Sequence, residues 1–339
     1  MTREKNDAAA TMKNYRIWLI RVAVLALLSG LLGWAFRSAP LAQIWETLRR
    51  LQPWQLALLA LVNGLIYLLV SLRWWIIVRA QSRGVSFRSL LAARLAAFGV
   101  SYFTLGPQVG GEPLQVLALR RRHGLTYSRA TASVLMDKLL EFLVNFLLLA
   151  LGVQAVLQAG WLAGNETRLE VGLLGLILLM LWPPLHILLM YNHIQPLTRL
   201  LNVLPFVPAR ARAGRFLRAA EWLAGTFCRQ HPRALLAALG ASLLAGVGML
   251  LDYALMLDFL GVHLPVWQTL AGWTAGWLSF LAPLPGGLGA LEASQVLALG
   301  FFGVTPAAAI SVTFLMRARD LLVGSLGLLL AGNDLSRVK

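Results

Sequence analysis

Gly106-Pro107-Gln108-Val109-Gly110-Gly111-Glu112-Pro113 cuts the apolar stretch 90–119 in two, and Pro283-Leu284-Pro285-Gly286-Gly287-Leu288-Gly289 does the same to 267–303. No helix runs smoothly through either sequence, because proline removes an amide donor and glycine is costly in a helix interior. The pieces left on each side are short against the ~20 helical residues that cross a bilayer. Both stretches therefore read as re-entrant helical hairpins with their turns buried in protein.

Outward from the breaks lie six unbroken apolar runs, at about 17–36, 54–78, 130–158, 169–190, 234–260 and 306–331. Each is long enough to span. The run from Ile17 to Phe36 exceeds the apolar core of a cleaved signal peptide and reads as a retained first span. Composition agrees: 58% of the 339 residues are hydrophobic and 13% are charged, against about a quarter charged in soluble domains. The fold class expected is an all-α polytopic membrane protein, with six full transmembrane helices plus two re-entrant helical hairpins. No soluble domain large enough for chemistry of its own is expected. The one cysteine, Cys228, excludes an intrachain disulfide and reads as a small buried residue.

The formal net charge of +16 does not point to nucleic acid, because the basic residues sit in short segments between apolar runs. With the N-terminus inside, 22 of the 30 Lys and Arg residues fall in inside segments and 4 in outside ones. That imbalance puts both termini in the cytoplasm, with anionic lipid of the cytoplasmic membrane as the electrostatic partner. It also orients the hairpins. Segments 73–94 and 120–129 flank the first and are basic, so it enters and leaves from the cytoplasm. Segments 261–266 and 303–305 flank the second and carry no Lys or Arg, so it dips in from outside.

Residues 1–158 and 169–331 then share one plan: two spans, one hairpin, one span. Each hairpin carries Pro-x-x-Gly-Gly (Pro107, Gly110, Gly111; Pro283, Gly286, Gly287), and Pro113, Pro285 and Gly289 complete the turns. Each following span carries a base with an acid three residues later: Lys138 and Glu141, then Arg317 and Asp320. Because the halves start on opposite sides, they read as an inverted-topology repeat, an architecture of secondary transporters. The connecting segment 191–233 is basic and broken by Pro196, Pro205 and Pro208. Two readings of it stand: an amphipathic helix on the inner leaflet, built on Arg210, Arg212, Arg215 and Arg218 with Phe216, Trp222 and Phe227, or a plain cytosolic linker. Trp18, Trp34, Trp54, Trp74, Trp75 and Trp267 lie near span ends, as interfacial anchors do.

Charge inside a membrane is costly and marks candidate function. Lys138 lies about 8 residues into its span, roughly 12 Å deep at ~1.5 Å per residue. Asp137 and Glu141 are beside it, and Arg317, Arg319 and Asp320 occupy the matching span. Residues three apart share a helix face, so Lys138 with Glu141 and Arg317 with Asp320 can pair. Such pairs can simply neutralise each other, or the cations can meet a lipid phosphate while the acids balance charge or couple to protons. The helix after Pro285-Gly286-Gly287 offers free amides to an anion, with Glu292 one turn along, and Glu112 sits at the other break. Asp252 is a further acid in a span, with no partner assignable from sequence. No phosphate loop, metal-ligand spacing or nucleophile motif appears, so no cofactor or metal and no catalytic residue is expected.

Gly111-Glu112-Pro113, then Arg120-Arg121-Arg122-His123-Gly124, then Ser133-Val134-Leu135-Met136-Asp137-Lys138-Leu139-Leu140-Glu141 resembles the lysylphosphatidylglycerol synthase transmembrane region, also called the flippase-like family. Pro285-Gly286-Gly287-Leu288-Gly289-Ala290-Leu291-Glu292 and Phe314-Leu315-Met316-Arg317 are similar to its second signature. The family more often has Arg where this chain has Lys138, which weakens bidentate phosphate recognition there. The synthases join this region to a soluble aminoacyl-transferase domain. Here Lys339 follows soon after the last span, so the resemblance implies a stand-alone lipid translocator without synthase activity. Its lipids would be phospholipids, glycolipids or polyprenyl-linked lipids. An accessory protein that partners a lipid-modifying enzyme, and a membrane-embedded transferase, are the alternatives.

Overall fold

The computed structural model describes residues 41–82, 84–103, 110–158, 166–203, 210–280, 284 and 287–336. The expected first span, 17–36, lies outside them, as do Pro107, Pro283, Pro285 and Gly286. The described residues are all-helical, with no strand among them. Among the described residues twelve helices follow one another: α1 (Leu41–Arg49), α2 (Pro53–Gln81), α3 (Phe87–Phe103), α4 (Glu112–His123), α5 (Tyr127–Gln158), α6 (Glu166–Tyr191), α7 (Pro196–Val203), α8 (Arg210–Gln230), α9 (Pro232–Phe259), α10 (Val266–Ser279), α11 (Ala290–Phe301) and α12 (Pro306–Ser336).

Local chemistry sets the ends. Pro53 and Pro232 open α2 and α9 at the first turn, where a missing amide hydrogen costs nothing. The Gln52 amide donates to Gln55 Oε1 at 2.8 Å and completes the start of α2. Both α2 and α9 are long and apolar enough to cross a bilayer. The two apolar stretches that carry breaks are indeed split, into α3 and α4 and into α10 and α11. Helices α4 and α11 have 12 residues and α10 has 14. At ~1.5 Å per residue they reach about 18–21 Å, short of a ~30 Å hydrocarbon core.

The molecule is apolar on its outside. Leu174, Leu178, Leu181, Leu185 and Leu188 stand exposed on α6, Leu61 and Leu65 on α2, Leu244 and Val247 on α9, and Leu322 and Leu329 on α12. Patches of this size are not left to water. Bilayer hydrocarbon is their natural solvent, which makes the chain a multi-pass membrane protein.

Packing follows a two-fold pattern. Helix α2 lies along α9, α3 along α12, and α10 along α5. Small residues bring the backbones together, as bilayer helices require where hydrophobic burial gives no drive. A side chain on Gly99 or Gly327 would collide with the backbone of Gly324 or Leu95, closing α3 onto α12. On the other side, Gly152 of α5 meets Thr274 of α10. Helices α2 and α9 run antiparallel, joined by Asn63 Nδ2 donating to Asp252 Oδ1 (2.7 Å) and Arg73 Nη1 donating to Ser242 Oγ (3.0 Å).

Two expectations are corrected. Arg73 and Arg94, counted with the cytoplasmic loops, are buried among helices, because carboxylates wait for them there. Trp74 is no interfacial anchor: it is fully buried beside Arg94, with its indole near Ser133. Trp54 and Trp267 are exposed, as anchors are. In the segment 191–233, for which an amphipathic helix and a plain linker both stood, the described residues form the helices α7 and α8. Helix α8 buries Ala220, Ala224 and Phe227 and leaves Arg215, Phe216, Arg218 and Trp222 outward. Cys228 is buried, as expected.

Candidate functional site

The buried charges form two networks, one in each half of the chain. In the first, Asp137 of α5 accepts Arg73 Nε at 2.7 Å and Arg94 Nη2 at 2.5 Å. Arg73 also donates from Nη2 to Glu141 Oε2 at 2.8 Å. Lys138 Nζ stands 3.1 Å from Glu141 Oε1 and 3.3 Å from Glu112 Oε1. Glu112 opens α4, and its other oxygen accepts the Gly110 amide at 2.9 Å. Gly110 has φ 121°, a conformation that only glycine adopts without strain.

The second network repeats this plan with other residues. Glu292 lies in the first turn of α11, where its Oε2 accepts the amide of Gly289 (φ 77°) at 2.9 Å. Arg317 of α12 grips Glu292 with Nε and Nη2, and Nη2 also reaches the Gly287 carbonyl at 3.3 Å. Arg319 bridges two acids, Asp252 of α9 at 2.7 Å and Asp320 at 2.8 Å. Each network therefore holds a carboxylate that closes a glycine turn on one side and meets a cation of the next long helix on the other.

The correspondence has a register. Asn63 and Ser242, Arg73 and Asp252, Lys138 and Arg317, and Glu141 and Asp320 are each 179 positions apart. At one pair the sign is reversed: Arg73 on α2 faces acids of α5, and Asp252 on α9 faces a base of α12.

Between the networks lies a cavity of about 220 Å³. Arg94, Glu112, Lys138 and Glu141 line it from the first half, and Arg319 and Asp320 from the second. Its apolar wall is aromatic, from Tyr67 and Phe98 to Tyr253, Trp273, Trp277 and Phe280. It is a polar chamber with apolar walls, inside a body whose outer surface is hydrocarbon-like.

The family model described as the lysylphosphatidylglycerol synthase TM region matches residues 18–327, nearly the whole chain. The chain belongs to this family. A relative, a UPF0104 membrane protein of Methanothermobacter thermautotrophicus, is 28% identical over 165 residues. That match covers 49% of this chain and 45% of the relative, so the chain spans under half of the relative's length. No solved structure matches.

In this member of the lysylphosphatidylglycerol synthase transmembrane family, the residues singled out in the sequence divide by place. Lys138, Arg319, Glu112, Glu141 and Asp320 meet at the cavity, and Gly111 lines it too. Arg317 and Glu292 pair with each other outside its lining. Asp137 is fully buried as the anchor of Arg73 and Arg94. Pro113 lies exposed in the first turn of α4. Lys138 pairs with Glu141 as expected, but Arg317 does not pair with Asp320 as its acid. Its guanidinium crosses to the start of α11, and the nearer Arg319 takes Asp320. Asp252 finds its partners in Arg319 and Asn63. Sequence reasoning passed over Arg73, Arg94 and the aromatic wall. Arg73 carried a signal: it falls inside the apolar run 54–78.

No cluster of His, Cys, Asp and Glu able to hold a metal occurs among the described residues. At the cytoplasmic side of the expected topology, Glu221 of α8 accepts the Leu197 and Thr198 amides and the Thr198 hydroxyl, 2.6–2.9 Å away. Burial pushes its carboxyl up, but these hydrogen bonds and His186 at 3.4 Å outweigh that and hold it below its usual value.

Proposed function

We propose that the chain moves a lipid headgroup across the cytoplasmic membrane through the cavity between its two halves. The single observation that carries this reading is that chamber: charged residues of both halves line it, inside a body coated with exposed leucine. The headgroup would occupy the chamber while the acyl chains stay in lipid. Lys138 and Arg319 would contact its phosphate, with Arg317 bracing the second turn. Glu112, Asp137, Glu141, Glu292 and Asp320 would balance the cations or exchange protons.

The architecture in this reading is six spans plus two re-entrant hairpins, α3–α4 from the cytoplasm and α10–α11 from outside, with both termini cytoplasmic. The shortness of α4, α10 and α11 supports the hairpins, and the two-fold packing with its 179-residue register supports an inverted repeat. Rocking of one half against the other would switch access. Membership in the family supports a lipid-related role.

The test is reconstitution of purified protein in liposomes with labelled anionic and glycosylated lipids, following label appearance in the opposite leaflet. Translocation by wild type, lost in Lys138→Gln and Arg317→Ala proteins that still fold, is the expected result. Full transport by both variants would refute the site. A second reading is favoured by the outward Arg215, Phe216, Arg218 and Trp222 of α8: an accessory protein that binds lipid for a partner enzyme. Translocation by the protein alone would refute it.

A further inference from the structure

The two networks differ in their count of charge. The first holds Arg73, Arg94 and Lys138 against Asp137, Glu141 and Glu112, and is balanced. In the second, Arg317 and Glu292 cancel. What remains is Arg319 against both Asp252 and Asp320. Asp252 is fully buried, and the residue that approaches it from α2 is the neutral Asn63. Arg319 is the one cation paired with either carboxylate among the described residues. The other groups around them are Tyr67 of α2, Arg94 and Tyr102 of α3, and Arg317 beside them on α12. Arg94 is already bound to Asp137, and Arg317 to Glu292. A bare excess negative charge in such surroundings is too costly to persist.

We propose that Asp252, Arg319 and Asp320 form a proton-binding site, in which two carboxylates share one guanidinium and one added proton. The proton is taken up from the bulk solution, where a hydronium ion gives it up and becomes water, and it enters by way of the cavity that Arg319 and Asp320 line together with Asn63. It is held as an O–H on one carboxylate, so the triad becomes neutral. Nothing is oxidised or reduced. The reversed sign at the paired positions makes the site possible: where the first half places Arg73, the second places Asp252. The triad is the place in the two networks where acids outnumber bases, and the proposal deepens the transport reading by giving it an ion to couple to.

The experiment is infrared spectroscopy of the purified full chain in lipid, recording the carbonyl stretch of a protonated carboxylic acid at neutral pH and its shift in heavy water. The expected result is one such band that disappears on alkalinisation and is lost in Asp252→Asn or Asp320→Asn. Both variants should fold, since each leaves a balanced Arg319–carboxylate pair. No band at any pH, or a band unchanged in both variants, would overturn the proposal. So would a band that is absent while sodium alone raises the thermal midpoint, which would assign the charge to a bound cation. If a variant fails to fold, the pH titration of the wild-type band decides alone. A parallel liposome assay keeps the two readings apart. A titrating band without lipid movement refutes the transport reading and leaves the proton site, whereas pH-independent lipid movement without a band does the reverse.

Discussion

The two halves of this membrane protein solve the same problem with different charge. Each places a carboxylate in a glycine turn and a cation on the following long helix, Glu112 with Lys138 and Glu292 with Arg317. The first half then adds two guanidiniums, Arg73 and Arg94, on the fully buried Asp137. The second half instead sets two acids, Asp252 and Asp320, on the single guanidinium of Arg319. A closed, neutral set of ion pairs resists change, because removing any member strands a buried charge. An open set, with more acids than bases, invites a small ion. The comparison separates a balanced set of buried ion pairs from one in which acids outnumber bases.

The sharpest way to break the comparison is at Asp137. Asp137→Ala takes from Arg94 the carboxylate it is bound to and leaves Arg73 with Glu141 alone, and removing one partner of a buried pair costs about 3–5 kcal/mol. A large fall in the thermal midpoint is expected, whereas Asp252→Asn should shift it far less. Equal effects of the two would erase the distinction.

A smaller effect tests the frame that holds the networks. Gly327 lies against the Leu95 backbone, so Gly327→Leu forces α3 and α12 apart. Overpacking of this kind costs about 1–3 kcal/mol. The matching contact on the other side sets Gly152 against the Thr274 hydroxyl and Cβ rather than directly against backbone, so Gly152→Ala, which adds one methyl and shifts Thr274, should cost less. Gly64 has open space around it, and Gly64→Ala should be neutral or stabilise slightly. Midpoints in that order would support unequal two-fold packing, and a reversed order would refute it.

A modest, pH-dependent effect lies outside both networks, at Glu221. Its folded carboxyl sits below its usual value, so its contribution is present at neutral pH and fades as pH falls through that lowered value. Glu221→Gln should flatten the acid limb of stability against pH, and an unchanged limb would show that α7 is held by other contacts.

The sequence made the membrane class legible, because long apolar runs have few other uses. It also marked both breaks, since Pro and Gly act locally. The charge networks were less legible, because their partners are distant in the chain. Arg73 and Asp137 are 64 residues apart, and Arg319 and Asp252 are 67 apart. Proximity in sequence suggested Arg317 with Asp320, and geometry gave Arg317 to Glu292. Arg94 was hidden for a different reason: counting charge by loop assumes that a base near a span end faces water.

These separations also bear on how the chain is made. Helix α2 leaves the ribosome with a buried-to-be arginine, and its acid is not synthesised for another 64 residues. Helix α9 emerges with an aspartate whose arginine follows 67 residues later. Neither helix settles in hydrocarbon at full favour until a later one arrives. Insertion is therefore a delayed agreement between segments. A chain cut after α9 would present the membrane's quality-control proteases with Asp252 and no arginine to hide it.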